Sequence, residues 1–296
     1  TFQENIASMY DKNVRVAGLV APLGDLFGVN STEVAIAERA AHIAKADLAT
    51  NMVVEMTSLQ GVMGREYALR EGYPQPVANA IYEHWLPRNA GDSLPKSDSG
   101  ALLGLTDRLD SLVGLFAAGL APKSTADPYG LRRAALGVIE IMIDRQIDAD
   151  LLQAVALVAS DQPIPVSGKA KTQLLEFIAG RLRVWMQEQD YATDVITAVL
   201  AEQAGNPYSA LVGVRELSEW VARDDWETVL DSFARCVRIT RSETVTHEID
   251  EALFQQDEEN ALFAAYEVAA VKLGAEVNGG TSNVGDFLTC FEPVVP

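Results

Sequence analysis

Three histidines, two cysteines and a few carboxylates set among apolar residues are what this 296-residue chain offers for chemistry. On a helical wheel of about 100° per residue, with Ile36 at zero, Ile43 and Ala40 fall close by and so does Asp47. An ionised carboxylate on that apolar arc is costly unless paired. Asp110 follows Leu103 and precedes Val113 at the edge of another apolar face. Asp47, His84 and Asp110 are therefore expected to converge. One His and two Asp can hold a divalent metal and hydrolyse a phosphoester. They can equally be buried carboxylates held by helix ends, a Lys or a Tyr, and their spacing is too long and unspecific to be a metal signature. His42 falls about 140° from Asp47 on the same wheel, so the two do not share a ligand. Cys236 and Cys290 lack metal-site spacing, and His247 stands alone. No Gly-rich phosphate loop follows a strand, and no serine is marked as a nucleophile.

The second half of the chain offers basic and aromatic residues instead. Arg235, Arg238 and Arg241 recur every three residues on a helix expected over 225–240, away from a face of Trp226, Leu230, Phe233 and Val237. In a helix expected over 168–190, Arg181 shares a face with Phe177 and Trp185, Arg183 points the other way, and Lys169 and Lys171 lie at the start. A Trp beside arginines can stack on an unpaired base while the stripe meets phosphates. A solvated charged face, and a core Trp with an arginine stem along it, would give the same pattern.

The elements that must position these residues read as helices throughout, so the expected class is all-α. Asn30 with Glu33 is a capping-box pattern opening a helix over 30–56. Further helices are expected over 75–86, 100–120, 150–160, 192–204, 208–223 and 257–275. Asp127-Pro128 reads as N-cap and first helical position of a helix running to about Arg145. The best break is Ser160-Asp161-Gln162-Pro163-Ile164-Pro165, which divides the chain into domains over 1–160 and 161–296.

Apolar residues make up 48% and charged residues 22%, enough to build packed cores and exclude a disordered chain. The net charge is −19, of which residues 242–296 carry −10. An acidic surface argues against non-specific nucleic-acid binding and against DNA as a partner, but leaves room for a local basic stripe. No apolar run approaches a membrane span. Two cysteines fit a reducing compartment. With no leader and no initiator Met, the chain is expected to be a piece of a longer protein.

Several stretches carry a resemblance. Lys45-Ala46-Asp47-Leu48-Ala49-Thr50, Leu59-Gln60-Gly61-Val62-Met63-Gly64, Glu83-His84-Trp85-Leu86-Pro87 and Asp127-Pro128-Tyr129-Gly130-Leu131-Arg132-Arg133-Ala134-Ala135-Leu136-Gly137 together resemble the β subunit of bacterial-type glycyl-tRNA synthetase, heterotetrameric or fused and also found in plastids. The resemblance implies an HD-type helical domain followed by a helical-bundle anticodon-binding domain. It implies a partner α subunit or α region that makes glycyl-adenylate with ATP and Mg, so this segment holds no cofactor, metal or catalytic centre of its own. Bacterial cytoplasm or chloroplast stroma is the implied location. The HD name denotes adjacent metal-binding His and Asp, and here that position reads Ala46-Asp47. The missing His removes a ligand and leaves Asp47, His84 and Asp110 as remnants. The implied partner is tRNA(Gly); charge and helix face, not the resemblance, mark Lys169, Lys171, Arg181, Arg183, Trp185, Arg235, Arg238 and Arg241 as its expected contacts. The alternative from another class is a metal-dependent HD-type phosphohydrolase.

Overall fold

The computed structural model describes residues 6–245, 249–279 and 284–294, which leaves His247 outside the described residues. The described residues form fourteen α-helices and no β-sheet: α1 (Met9–Leu26), α2 (Ser31–Ala41), α3 (Asn51–Glu55), α4 (Val62–Arg70), α5 (Gln75–Glu83), α6 (Asp98–Ala117), α7 (Leu131–Asp144), α8 (Leu151–Ser160), α9 (Gly168–Glu188), α10 (Thr193–Gln203), α11 (Pro207–Val221), α12 (Trp226–Thr240), α13 (Asp257–Gly279) and α14 (Val284–Phe291). They divide into two compact units, one of Thr1–Asp190 with Leu200–Ala210, the other of Tyr191–Val199 with Leu211–Pro296.

The first unit is built around α6. Sixteen of its 20 residues are buried, as expected of a helix apolar on nearly every side. Helices α1, α2, α5, α7, α8 and α9 all pack on it. Its start is fixed by Ser97, whose hydroxyl accepts from the Gly100 N–H. The Asn30 side chain caps α2 by accepting from the N–H groups of Thr32 and Glu33. Glu33, however, does not reach back to close a capping box. Its carboxylate accepts from the Ser99 N–H at 3.0 Å, tying the start of α2 to the start of α6. Helix α9 lays Leu174, Ile178, Leu182 and Met186 into the core, and Phe177 packs on Phe116 at 5.3 Å between ring centroids. The break at Ser160–Pro165 therefore falls inside this compact unit, and α9 belongs to it.

Two expected helices are corrected. The helix over 30–56 ends at Ala41, with a 3₁₀ turn at Ala46–Ala49 and the short α3 following. Asp47 explains the break, because its carboxylate binds backbone N–H groups of a later segment, and a straight helix through it would forfeit those bonds. The helix expected from Pro128 starts instead at Leu131. Asp127 still caps it, accepting from the N–H groups of Leu131 and Arg132 at 2.8 and 2.9 Å. The turn between needs φ +67° at Gly130, a conformation a glycine adopts without strain.

The second unit has a small core of Trp220, Val229 and Leu288, with Leu217, Trp226, Val284 and Phe291 packed against it. Phe233 meets Phe287 and Phe291 edge-on at 5.9 and 5.7 Å. The face of α12 expected to be buried is largely open: Leu230 is 46% and Val237 45% exposed, and Val229 is the buried residue of the helix. The eight-residue α14 is about 12 Å long and covers only the turns of α12 near Val229 and Phe233.

Candidate functional site

Asp47, His84 and Asp110 are all buried, but each has its own surroundings. Asp47 Oδ2 accepts from the backbone N–H groups of Gly61 and Gly64 at 2.7 and 3.1 Å, holding the loop that enters α4. Both glycines are needed: a side chain at Gly64 would press on Ile81 and Asp47, and one at Gly61 would strike Trp85. Ala46 lies beside Asp47 on the 3₁₀ turn and supplies no polar group.

Asp110, on α6, faces α1. Arg15 grips it with two donors, Nε to Oδ1 at 3.0 Å and a terminal nitrogen to Oδ2 at 3.2 Å. Lys12 Nζ donates to Oδ2 at 3.1 Å, and the Gln162 amide donates to Oδ1 at 2.9 Å. Asp107, one turn earlier, pairs with Lys12 at 2.8 Å and with Lys45 at 3.0 Å. Lys45 Nζ also sits over the Trp85 ring, 3.7 Å from its centroid. Charges this deep are costly unless mutually compensated. Burial opposes the Lys12 charge, yet Asp107 and Asp110 outweigh it and raise the Lys12 pKa. Burial also opposes the Asp107 charge, and Lys12 and Lys45 reverse this, holding that carboxyl well below its usual range. For Lys45 burial wins and the pKa falls, helped by neighbouring Lys12.

The remnant residues therefore do not form a metal-ligand set. Among the described residues no group of three or more His, Cys, Asp or Glu is placed to hold a metal. The reason is chemical: Asp110 is already neutralised by Lys12 and Arg15, and Asp47 is taken up by backbone N–H groups. The residues do not fit a divalent ion. Sequence reasoning missed Lys12, Arg15, Asp107 and Arg108. A signal was available in Asp107, Arg108 and Asp110, the three charges in a mostly apolar run from Leu102 to Phe116.

Arg108 completes the cluster. Its guanidinium donates to the carbonyls of His84, Gly104, Trp85, Leu86 and Pro87 at 2.7–3.2 Å. Burial draws its pKa down to about 10, against the pull of Asp107. Gly104 and Gly137 leave room for it, since a Cβ at Gly137 would lie 2.6 Å from the Arg108 Nε.

His84 is 1% exposed, and its Nδ1 donates to the Ile81 carbonyl at 2.6 Å. Burial, and then the charge of Lys45, push its pKa well below 6.5. The folded state thus keeps a neutral ring where the unfolded state binds a proton. The sign follows: stability is full above pH 6.5 and falls as pH drops below it, with a slope of up to about 1.4 kcal/mol per pH unit. Urea titrations at pH 7.5 and 5 should show this loss, and it should shrink in His84→Gln. An equal loss in both proteins would sink the assignment.

The expected RNA-contact residues fall on both units. Lys169, Lys171, Arg181, Arg183 and Trp185 lie on α9 in the first, Arg235 and Arg238 on α12 and Arg241 just after it in the second. Lys169 is exposed, while Lys171, Arg181, Arg183 and Trp185 are half-buried along the core-facing stripe. Arg235, Arg238 and Arg241 are exposed. Arg238 donates to the Ala234 carbonyl of its own helix, and none of the three pairs with a carboxylate among the described residues.

Among the described residues, then, Asp107 and Asp110 are paired with cations in the first unit, and Arg235, Arg238 and Arg241 stand exposed in the second. Comparison with known proteins gives the family. The model for the glycyl-tRNA synthetase beta subunit matches residues 1–201, and the chain belongs to that family. It is 36% identical over 267 residues to the chloroplastic/mitochondrial glycine–tRNA ligase 2 of Arabidopsis thaliana, covering 90% of this chain and 25% of that protein. It is 37% identical over 278 residues to the glycine–tRNA ligase beta subunit of Alteromonas mediterranea, covering 90% and 39%. With the beta subunit of Geobacter sulfurreducens the identity is 36% over 291 residues, covering 97% and 41%. The chain thus spans between a quarter and two fifths of the length of these relatives. Among the described residues, no helix is long and apolar enough to cross a membrane.

Proposed function

We propose that this chain is the tRNA-binding part of a glycyl-tRNA synthetase, holding tRNA(Gly) while the α subunit or α region joins glycine to it using ATP and Mg. The segment supplies binding energy and orientation, so that the acceptor end reaches a catalytic centre elsewhere. Residues 1–160 act as a degenerate HD-type domain and 161–296 in anticodon binding, with α9 serving both because it also packs in the core of the first unit, in a bacterial cytoplasm or a plastid stroma. Family membership and the names of the relatives support the reaction. The observation that carries the RNA role is the run of Arg235, Arg238 and Arg241, exposed and without carboxylate partners among the described residues, in a chain of net charge −19. Acids elsewhere repel a polyanion, so binding is directed to the stripe.

The test is a titration with tRNA(Gly) beside the same tRNA carrying a changed anticodon. Preference for the glycine anticodon is expected. Trp185→Ala should weaken binding about tenfold if it stacks on a base. Arg238→Ala should lower affinity for both RNAs and reduce the slope of log K against log salt by about one. Equal binding of the two tRNAs would remove anticodon recognition from these residues. No binding at low salt would overturn the RNA role.

A further inference from the structure

A second surface feature belongs to the first unit. The end of α5, the middle of α6, the start of α7 and the Thr57–Gln60 segment line an open cavity of about 360 Å³, within the range of about 300–1,000 Å³ typical of small-molecule sites. Its polar groups fall into two sets. Inside is His84, 1% exposed and lining the cavity. Because its Nδ1 donates to the Ile81 carbonyl, the neutral ring leaves Nε2 as a bare acceptor. That Nε2 is buried and has no hydrogen-bond partner. A buried acceptor without a donor is unfavourable, and what satisfies it is an O–H or N–H brought by something else. Ser111 also lines the cavity, its hydroxyl proton given to the Asp107 carbonyl, so its oxygen is a further acceptor.

The second set is cationic. Arg133 lines the cavity from α7, is exposed, and makes no hydrogen bond or ion pair among the described residues. Arg88 donates to the carbonyls of Ser58 and Gln60 at 3.0 and 2.9 Å, which fixes its charge in place. With Arg108, three guanidinium groups line the cavity against one carboxylate, Asp107, which Lys12 and Lys45 already neutralise. In so acidic a chain this is a local reversal of sign.

We propose that this cavity binds a sugar phosphate, its phosphate at Arg133 and Arg88 and a sugar hydroxyl donating to His84 Nε2. Phosphate matches the planar donors of arginine, and a polyol supplies the missing donor, so one ligand answers both sets. The same chemistry has two sources, a free sugar phosphate or nucleotide and a ribose phosphate of an RNA strand. The proposal needs neither RNA binding nor aminoacylation to be true.

Calorimetric titration of the 296-residue chain with ribose 5-phosphate, ribose and inorganic phosphate tests it. Ribose 5-phosphate should saturate a single site and bind at least about tenfold more tightly than either fragment. Arg133→Ala, at an exposed position on a helix capped by Asp127, should keep its circular dichroism and lose about tenfold in affinity. The ¹⁵N resonance of His84 Nε2 should move as its lone pair gains a donor. No saturation by ribose 5-phosphate would overturn the proposal. So would unchanged affinity in Arg133→Ala, or phosphate binding as tightly as ribose 5-phosphate with the His84 resonance unmoved. Adding tRNA separates the sources once the site is shown: displacement of ribose 5-phosphate assigns it to an RNA strand, and coexistence assigns it to a free metabolite.

Discussion

Arg108→Met should destabilise the first unit by about 3 kcal/mol or more, although it removes a buried charge that has no carboxylate within bonding distance among the described residues. The guanidinium is the shared donor for five carbonyls, four of them at consecutive residues from His84 to Pro87. Each carbonyl left buried and unmatched costs about 1–3 kcal/mol, and methionine fills the volume but offers nothing to donate. For a unit of this size that corresponds to a fall in Tm of about 6–12 °C. A companion substitution isolates the cause. Gly137→Ala in a helix normally gains about 1 kcal/mol, but here the new Cβ would press on a guanidinium that its bonds hold in place. It should therefore destabilise the native chain and become neutral or stabilising beside Arg108→Met, a coupling that a double-mutant cycle measures directly. A Tm change in Arg108→Met of under about 2 °C would show that water or a rearranged loop meets those carbonyls, and the account would fail.

Lys12→Met should cost about 3–5 kcal/mol, the usual loss when one partner of a buried ion pair is removed. Lys12 is 2% and Asp110 1% exposed, and the ammonium serves both Asp107 and Asp110. Its removal leaves Asp107 to Lys45 alone and takes one of three cations away from the two aspartates. Breaking the Arg65–Glu66 pair with Arg65→Met makes a fair control: that pair joins adjacent residues at the half-open surface, and such pairs contribute about 0–1 kcal/mol. Urea midpoints for the two variants should differ several-fold in their shift from wild type. Equal shifts would mean that water screens the interior cluster as well as it screens the surface.

What the sequence made legible follows the range of each interaction. Helix α6 could be placed because its apolar residues repeat over five turns, and α9 because Leu174, Ile178, Leu182 and Met186 form a regular stripe. Asp47 could be marked as a carboxylate in need of a partner, since periodicity alone put it on an apolar arc. Its partners could not be read: they are backbone N–H groups of Gly61 and Gly64, which leave no trace in side-chain pattern. The convergence expected of Asp47, His84 and Asp110 failed for a related reason. Lys12 and Arg15 meet Asp110 across more than ninety residues of chain, on a helix that was not foreseen, and they take the place of any shared ligand. The open face of α12 was missed because amphipathic pattern states what a helix is able to bury, not how much the neighbouring elements can cover.

The lysines at the centre of the first unit have a consequence for how this protein is made. A metal ion is a counter-charge that must be captured after synthesis, competes with other ions, and is lost to a stronger chelator. An ammonium at the end of Lys12 or Lys45 is a counter-charge delivered by translation itself, in fixed stoichiometry and tethered by four carbons. The carboxylates of α6 are therefore matched from the moment the chain folds. The charge balance of α6 needs no loading step, and it is insulated from fluctuations in the cell's supply of divalent ions.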